Sequence, residues 1–336
     1  MKKSGGYFVI SLDFELFWGM FDKETIESYG EHIAGERIAI PRMLDLFKSY
    51  EIHATWATVG MLMARNKKEL YALLPPEHLR PRYSDMRMSA YHYLANGTIG
   101  ENEMTDIYHY GGDLVHAIMH TPFQEIGNHT FSHFYCIDGQ HNEPSVFEAD
   151  LDAHARIAHA YGILTTSIVF PRNQADEHAL RTCAKKGLRA YRGNESHILY
   201  KARRDGEQSL LIRGLRFLDH YIPLSGQHTY PLPSSPTGTI LDIPSSRFLR
   251  PWSSALRMFE GLKIKRITRA MTYAAKHNEV FHLWWHPHNF GINHAQNFTN
   301  LKKIIDHYLW LKKKYDMQSV SMNELEKITQ NTHHAS

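Results

Sequence analysis

Four stretches of this 336-residue chain place chemically able residues at the end of an apolar run. In Ser11-Leu12-Asp13-Phe14-Glu15, two carboxylates one residue apart in extended chain point roughly the same way. One can ligate a metal while the other serves as a base. In His129-Thr130-Phe131-Ser132-His133, histidines at i and i+4 of a helical turn can both reach one metal. His116 and His120 have the same spacing, so in a chain with 24 histidines the spacing alone decides little. The third stretch, Phe281 to Asn289, carries His282, His286 and His288 at i, i+4 and i+6. Its end is where a barrel enzyme keeps general acids, and the three rings are also a candidate metal site. His282 reads as structural. The fourth is Phe170-Pro171-Arg172-Asn173, whose arginine needs an anion if it points inward, with Asp13 the natural candidate. The conjunction of four such strand ends carries the reading, not any one of them.

The elements that must position these residues alternate. Tyr7 to Leu12 is a compact strand, Ala39 to Tyr50 has apolar residues at helical spacing, and Ala54 to Gly60 reads as the next strand. Helices follow at 113–120, 146–161, 175–186, 254–277 and 300–314. Strands are expected at 125–128, 165–170, 188–192 and 280–285. Gly187 stands where a helix C-cap belongs. About seven strand–helix alternations predict an α/β fold, a (β/α) barrel with function at the carboxyl ends of its strands. It is expected as a single domain over 1–330, with insertions at about 61–112 and 196–251 and a disordered tail at 331–336.

Composition bounds the function. The chain is 43% hydrophobic and 22% charged, with a net charge of +3 and no concentrated basic stripe, so nothing calls for nucleic acid. Two cysteines are too few for a disulfide framework, and no run has the length of a signal h-region or a membrane span. These features predict a cytoplasmic protein; peripheral membrane contact and oligomeric state stay open.

With these residues in hand, the chain resembles the polysaccharide deacetylase family, the carbohydrate esterases that share the NodB homology region. The resemblance runs from Phe8 to about Leu325. It rests on the Asp13–Glu15 and His129–His133 motifs, on Ala54-Thr55-Trp56-Ala57, on Phe170-Pro171-Arg172, on Leu283-Trp284-Trp285-His286-Pro287 and on Ser319 to Leu325. It implies a distorted (β/α)7-8 barrel binding one divalent metal, usually zinc, with cobalt, nickel or manganese as alternatives. By the same resemblance His129 and His133 are metal ligands, Asp13 the general base, His286 the general acid, and Arg172 the residue that orients Asp13. The usual first motif has adjacent acids, whereas Phe14 separates them here. Following the acid-x-acid branches makes Glu15 the ligand. Asn173-Gln174 replaces the usual proline-rich continuation.

The implied activity is hydrolysis of an N-acyl group, first of all acetyl, on a sugar. A lipid- or nucleotide-linked precursor of a surface polysaccharide is the expected substrate. Trp18, Asn173, Trp284 and His288 are candidate substrate contacts, with Trp285 a further ring. Arg80, Arg82 and Arg87 are candidates to meet a phosphate. Deformylation of a similar sugar, hydrolysis of a cyclic amide or imide, and a non-catalytic saccharide-binding barrel are the competing readings.

Overall fold

The computed structural model describes residues 5–97, 99–138, 143–200, 210–234 and 240–334. Its strands are β1 (Tyr7–Phe14), β2 (Ala54–Thr58), β3 (Gln124–Asn128), β4 (Ser167–Ile168), β5 (Ala190–Tyr191), β6 (Leu241–Asp242), β7 (Arg247–Phe248), β8 (Val280–Trp285) and β9 (Gln318–Val320). The helices are α1 (Ile26–Tyr50), α2 (Lys67–Leu73), α3 (Ala90–Asn96), α4 (Gly112–Met119), α5 (Pro144–Ala160), α6 (Glu177–Lys185), α7 (Leu210–Asp219), α8 (Glu260–His277), α9 (His294–Tyr315) and α10 (Met322–His334).

The strands pair in parallel in the order β6-β5-β4-β3-β2-β1-β8-β7, and β9 adds to β1 at Tyr7–Val9. The sheet curls into a half-barrel, the expected distorted (β/α) barrel. β1 lies at its centre, with β2 on one side and β8 on the other. That position explains its sequence: a strand covered on both faces is buried almost throughout and reads as a mostly apolar run rather than an alternation.

Three expectations change. The helix expected from Ala39 begins at Ile26 instead, capped by Thr25 and Ser28. Gly30 and Gly35 obscure its first half to a reading of apolar spacing. The excursion expected at 196–251 instead supplies β6 and β7, the two end strands of the sheet order, among its described residues; 201–209 and 235–239 lie outside them. Of the disordered tail expected at 331–336, residues 331–334 are the last turn of α10, and 335–336 lie outside the described residues. Much of 61–112 also packs into the main core, through Met61, Leu62, Tyr91 and Leu94.

Two glycines set how the catalytic-looking turn after β8 meets α1. A methyl group on Gly35 would lie 1.8 Å from the Gly291 carbonyl oxygen, and one on Gly291 would lie 1.9 Å from that of His32. Only hydrogen fits at either position, and the close approach brings Tyr29 of α1 against His288. No helix among the described residues is long and apolar enough to cross a membrane.

Candidate active site

The carboxyl ends of β1, β3, β5 and β8 converge on a cleft of about 1080 Å³, lined by Asp13, Glu15, His133, Arg172, Asn173, Trp284, His286 and His288 among others. Glu15 sits just past β1, and its Oε1 is 2.8 Å from His129 Nε2 and 3.1 Å from His133 Nε2. Its carboxylate needs room on the Gly19 side, where a Cβ would stand 1.8 Å from Oε2.

The two histidines do not lie on a helical turn, as their spacing suggested. They flank a tight loop after β3 in which Thr130 and His133 have left-handed backbone, at φ 61° and 56°. Asp150 of α5 cinches that loop. It accepts the Phe131 and Ser132 backbone N–H groups at 2.7 and 3.2 Å, and the Ser132 hydroxyl as well. Burial pushes the Asp150 carboxyl up to about 6 despite those bonds.

Hydrogen-bond partners fix which ring nitrogen faces Glu15. His129 Nδ1 lies 2.7 Å from the Val169 carbonyl oxygen, which can only accept, so Nδ1 carries the proton. The Tyr135 hydroxyl donates to Asp22 at 3.3 Å, so His133 Nδ1, 3.1 Å from that hydroxyl, is the donor to it. Burial lowers the His133 pKa despite the nearby Glu15, which keeps this ring neutral. In their neutral forms both rings therefore aim Nε2 lone pairs at one carboxylate oxygen. Lone pairs at such distances need a proton or a metal cation between them. The donor set of one carboxylate and two imidazoles suits zinc and the neighbouring divalent ions.

Asp13 is held differently. Arg192 donates to its Oδ1 and Oδ2 at 2.6 and 2.7 Å, and both residues are buried. Burial alone would raise the Asp13 pKa, but Arg192, then His286, outweigh it and the net shift is downward. Arg192 is in turn gripped by the Asn173 side-chain oxygen at 3.0 and 2.8 Å, and its guanidinium lies 4.1 Å from the Trp284 ring centroid.

Arg172 does not orient Asp13. Consecutive left-handed residues, Arg172 and Asn173, turn the chain at the end of β4 and send the arginine to Asp22 and Asp138, at 2.5 and 3.1 Å. It also lies over the Tyr135 ring. Arg172 thus supports the Asp22–Tyr135–His133 chain on the opposite side of the site. Arg192, which grips Asp13, is a residue that sequence reasoning missed. The available signal was its place as the last residue of the expected strand 188–192, the same kind of strand end that drew attention to Arg172.

His286 is partly exposed, with Nε2 3.6 Å from Asp13 Oδ2 and 3.8 Å from Glu15 Oε1. His288 is buried; its Nδ1 is 2.7 Å from the Tyr29 hydroxyl and its Nε2 3.8 Å from Glu15 Oε2. Burial, then His286, lowers the His288 pKa to about 3. His282 is a satisfied core residue, bonded to Ser11 Oγ at 2.8 Å. Trp18 is fully buried and donates to the His109 carbonyl, so it is not a substrate contact. Trp285 is equally buried, whereas Trp284 reaches the cleft. None of Arg80, Arg82 and Arg87 lines the cleft.

Fold and site are thus those of a parallel half-barrel with an acid–histidine cluster at the carboxyl ends of its strands. Residues 34–191 match the family model described as polysaccharide deacetylase. Among solved structures it resembles two candidate polysaccharide deacetylases. That from Mycobacterium smegmatis has a TM-score of 0.62 at 8% identity, over 99% of this chain and 92% of the other. That from Pseudomonas aeruginosa PAO1 scores 0.58 at 10% identity, over 98% and 93%. Puue allantoinase scores 0.56 at 12% identity, over 98% and 92%. At such identities the likeness is one of fold. No curated protein matches the chain.

Proposed function

We propose that the protein is a divalent-metal-dependent hydrolase that removes the acetyl group from an N-acetylated sugar. One observation carries the reading: the Nε2 atoms of His129 and His133 lie 2.8 and 3.1 Å from Glu15 Oε1, beside a second carboxylate and a partly exposed histidine. Glu15, His129 and His133 would hold the cation, which when bound polarises an amide carbonyl and eases ionisation of water.

The chain's own groups supply the rest. Asp13, kept anionic by Arg192, accepts the proton of the attacking water; each of its oxygens keeps a second lone pair beyond the arginine bond. His286, on the other side of Asp13, delivers a proton to the departing sugar nitrogen. Trp284 and Phe248 line the cleft and offer apolar faces to a pyranose ring. Asn173 acts through Arg192. Delivery of the sugar on a lipid or nucleotide carrier, for assembly of a surface polysaccharide in the cytoplasm, belongs to the same reading.

The test is a product assay with zinc-loaded protein on N-acetyl sugars, N-formyl sugars and cyclic amides. Acetate release that stops on chelation is expected. Formate release alone, or ring opening of a cyclic amide alone, would replace this reading.

A further inference from the structure

The cleft is larger than one acetylated sugar needs, at about 1080 Å³ against the roughly 300–1000 Å³ of small-molecule pockets. Its charge is also uneven. Of the acids that line it, Asp13 is held by Arg192 and Glu15 faces the two histidines, while burial pushes the Glu195 carboxyl up. Lys23, Arg213 and Arg250 line the same cleft, and among the described residues none of the three has a carboxylate within ion-pair distance. Arg250 rests over the Phe217 ring, 5.0 Å from its centroid.

The helix that presents this wall is pinned in place. On α7 and the residue after it, Arg213, Phe217 and His220 recur at i, i+4 and i+7, and all three line the cleft. Asp219, between them and turned away, receives Arg247 at 2.7 Å, Arg266 at 2.8 Å and the Tyr200 hydroxyl at 2.7 Å. Burial, then Arg250 and Arg247, lowers the His220 pKa to about 3, so this ring adds no charge of its own. The pinned helix therefore holds Arg213 over a concave surface that Lys23, before α1, and Arg250, after β7, also line, and uncompensated cations gathered in a cleft concentrate an anion.

We propose that Lys23, Arg213 and Arg250 form a phosphate subsite, and that the sugar enters the cleft with its phosphate linkage against this wall. The proposal rests on the sugar-hydrolase reading above. It moves phosphate recognition away from Arg80, Arg82 and Arg87. Of these, Arg87 is bound to Asp85 at 2.7 Å, and Arg80 stacks on Tyr91 and donates to the Pro75 carbonyl. A phosphate suits several separated cations; a single carboxylate is satisfied by one forked arginine.

The test separates binding from turnover. Calorimetry with metal-stripped full-length protein measures the affinity of N-acetylglucosamine 1-phosphate and of methyl N-acetylglucosaminide. The phosphate should add at least tenfold in affinity, weakening as salt rises, and the combined Arg213→Ala, Arg250→Ala variant should lose most of that advantage. Lys265→Ala with Arg269→Ala, which removes two exposed charges from α8, should keep it. With the zinc-loaded enzyme, kcat/KM for a nucleoside-diphosphate sugar and for a short prenyl-diphosphate sugar is then compared with that for the methyl glycoside. Preference for either supports the subsite, and the larger of the two names the carrier. Equal affinity for the phosphate and the methyl glycoside overturns the proposal, as does an equal gain from an N-acetylated uronic acid. If binding behaves as expected but no acetate is released from any substrate, the subsite stands and the assigned reaction fails.

Discussion

Arg192 clamps both oxygens of Asp13, at 2.6 and 2.7 Å, across 179 residues of sequence. The pair is buried, so removing one partner leaves an uncompensated charge, at a cost of about 3–5 kcal/mol. Arg192→Met should show that loss in a denaturation curve.

Arg192→Lys tests the positioning role. A point charge cannot reproduce the fork, and a misplaced base should cost about 10²-fold in kcat. Because Arg192 helps hold the Asp13 pKa down, the acid limb of the rate profile should also move to higher pH. An unmoved acid limb would mean that Asp13 is not the base. Arg172→Gln should instead act through His133, weakening metal binding and leaving the acid limb where it was.

Gly19→Ala is expected to disturb Glu15. Its new methyl would meet Oε2 at 1.8 Å, so the carboxylate must move. A shift of a supporting contact typically costs 10–100-fold in metal affinity, which zinc competition titration measures. Unchanged affinity would remove Glu15 from the ligand set. Glu15→Gln should likewise weaken metal binding while Asp13→Asn keeps the metal and loses turnover. If those two results exchange places, the roles of the two acids are reversed.

The difference between what the sequence disclosed and what it hid follows from the lengths of the elements. β1 and β8 are long, mostly apolar runs, so Asp13, Glu15 and His286 at or near their ends are legible from the order of residues alone. β4 to β7 have two residues each, too few for any periodicity to register, so 196–251 looks like an excursion and Arg192 like one more strand-end cation. Residue type also says nothing of direction. Trp18 and Trp284 look equally suited to a sugar face, but one donates into the core and the other reaches the cleft. Tyr29 is invisible as a partner because 259 residues separate it from His288.

Stability should fall in acid through buried histidines. Burial lowers the His154 pKa to about 4 although its Nε2 bonds the Thr58 carbonyl at 3.0 Å. The unfolded chain takes up this proton near pH 6.5 and the folded one only near 4. The contribution is therefore complete above 6.5 and is lost as pH falls through that window, amounting to about 3 kcal/mol. His154→Gln should flatten the curve of unfolding free energy between pH 6.5 and 4; an unchanged slope would show that this ring already titrates normally in the fold.

His286 and His288 are to be separated by turnover. His286 is the partly exposed ring beside Asp13, and its replacement by alanine should keep the metal and lose roughly 10²–10⁴-fold in kcat. His288 is buried against Tyr29, so His288→Ala should cost much less in kcat. Near-normal activity in His286→Ala would move the acid elsewhere.

If Glu15, His129 and His133 hold a catalytic cation, the decisive measurement is bound metal per chain alongside acetate released from an N-acetylated sugar. Wild-type protein should bind one equivalent of zinc at this site, fall silent on chelation and recover when the zinc is restored. The His129→Ala, His133→Ala variant should neither hold the metal nor release acetate. Stoichiometric metal in that variant, or acetate release undiminished in stripped wild-type protein, would contradict it.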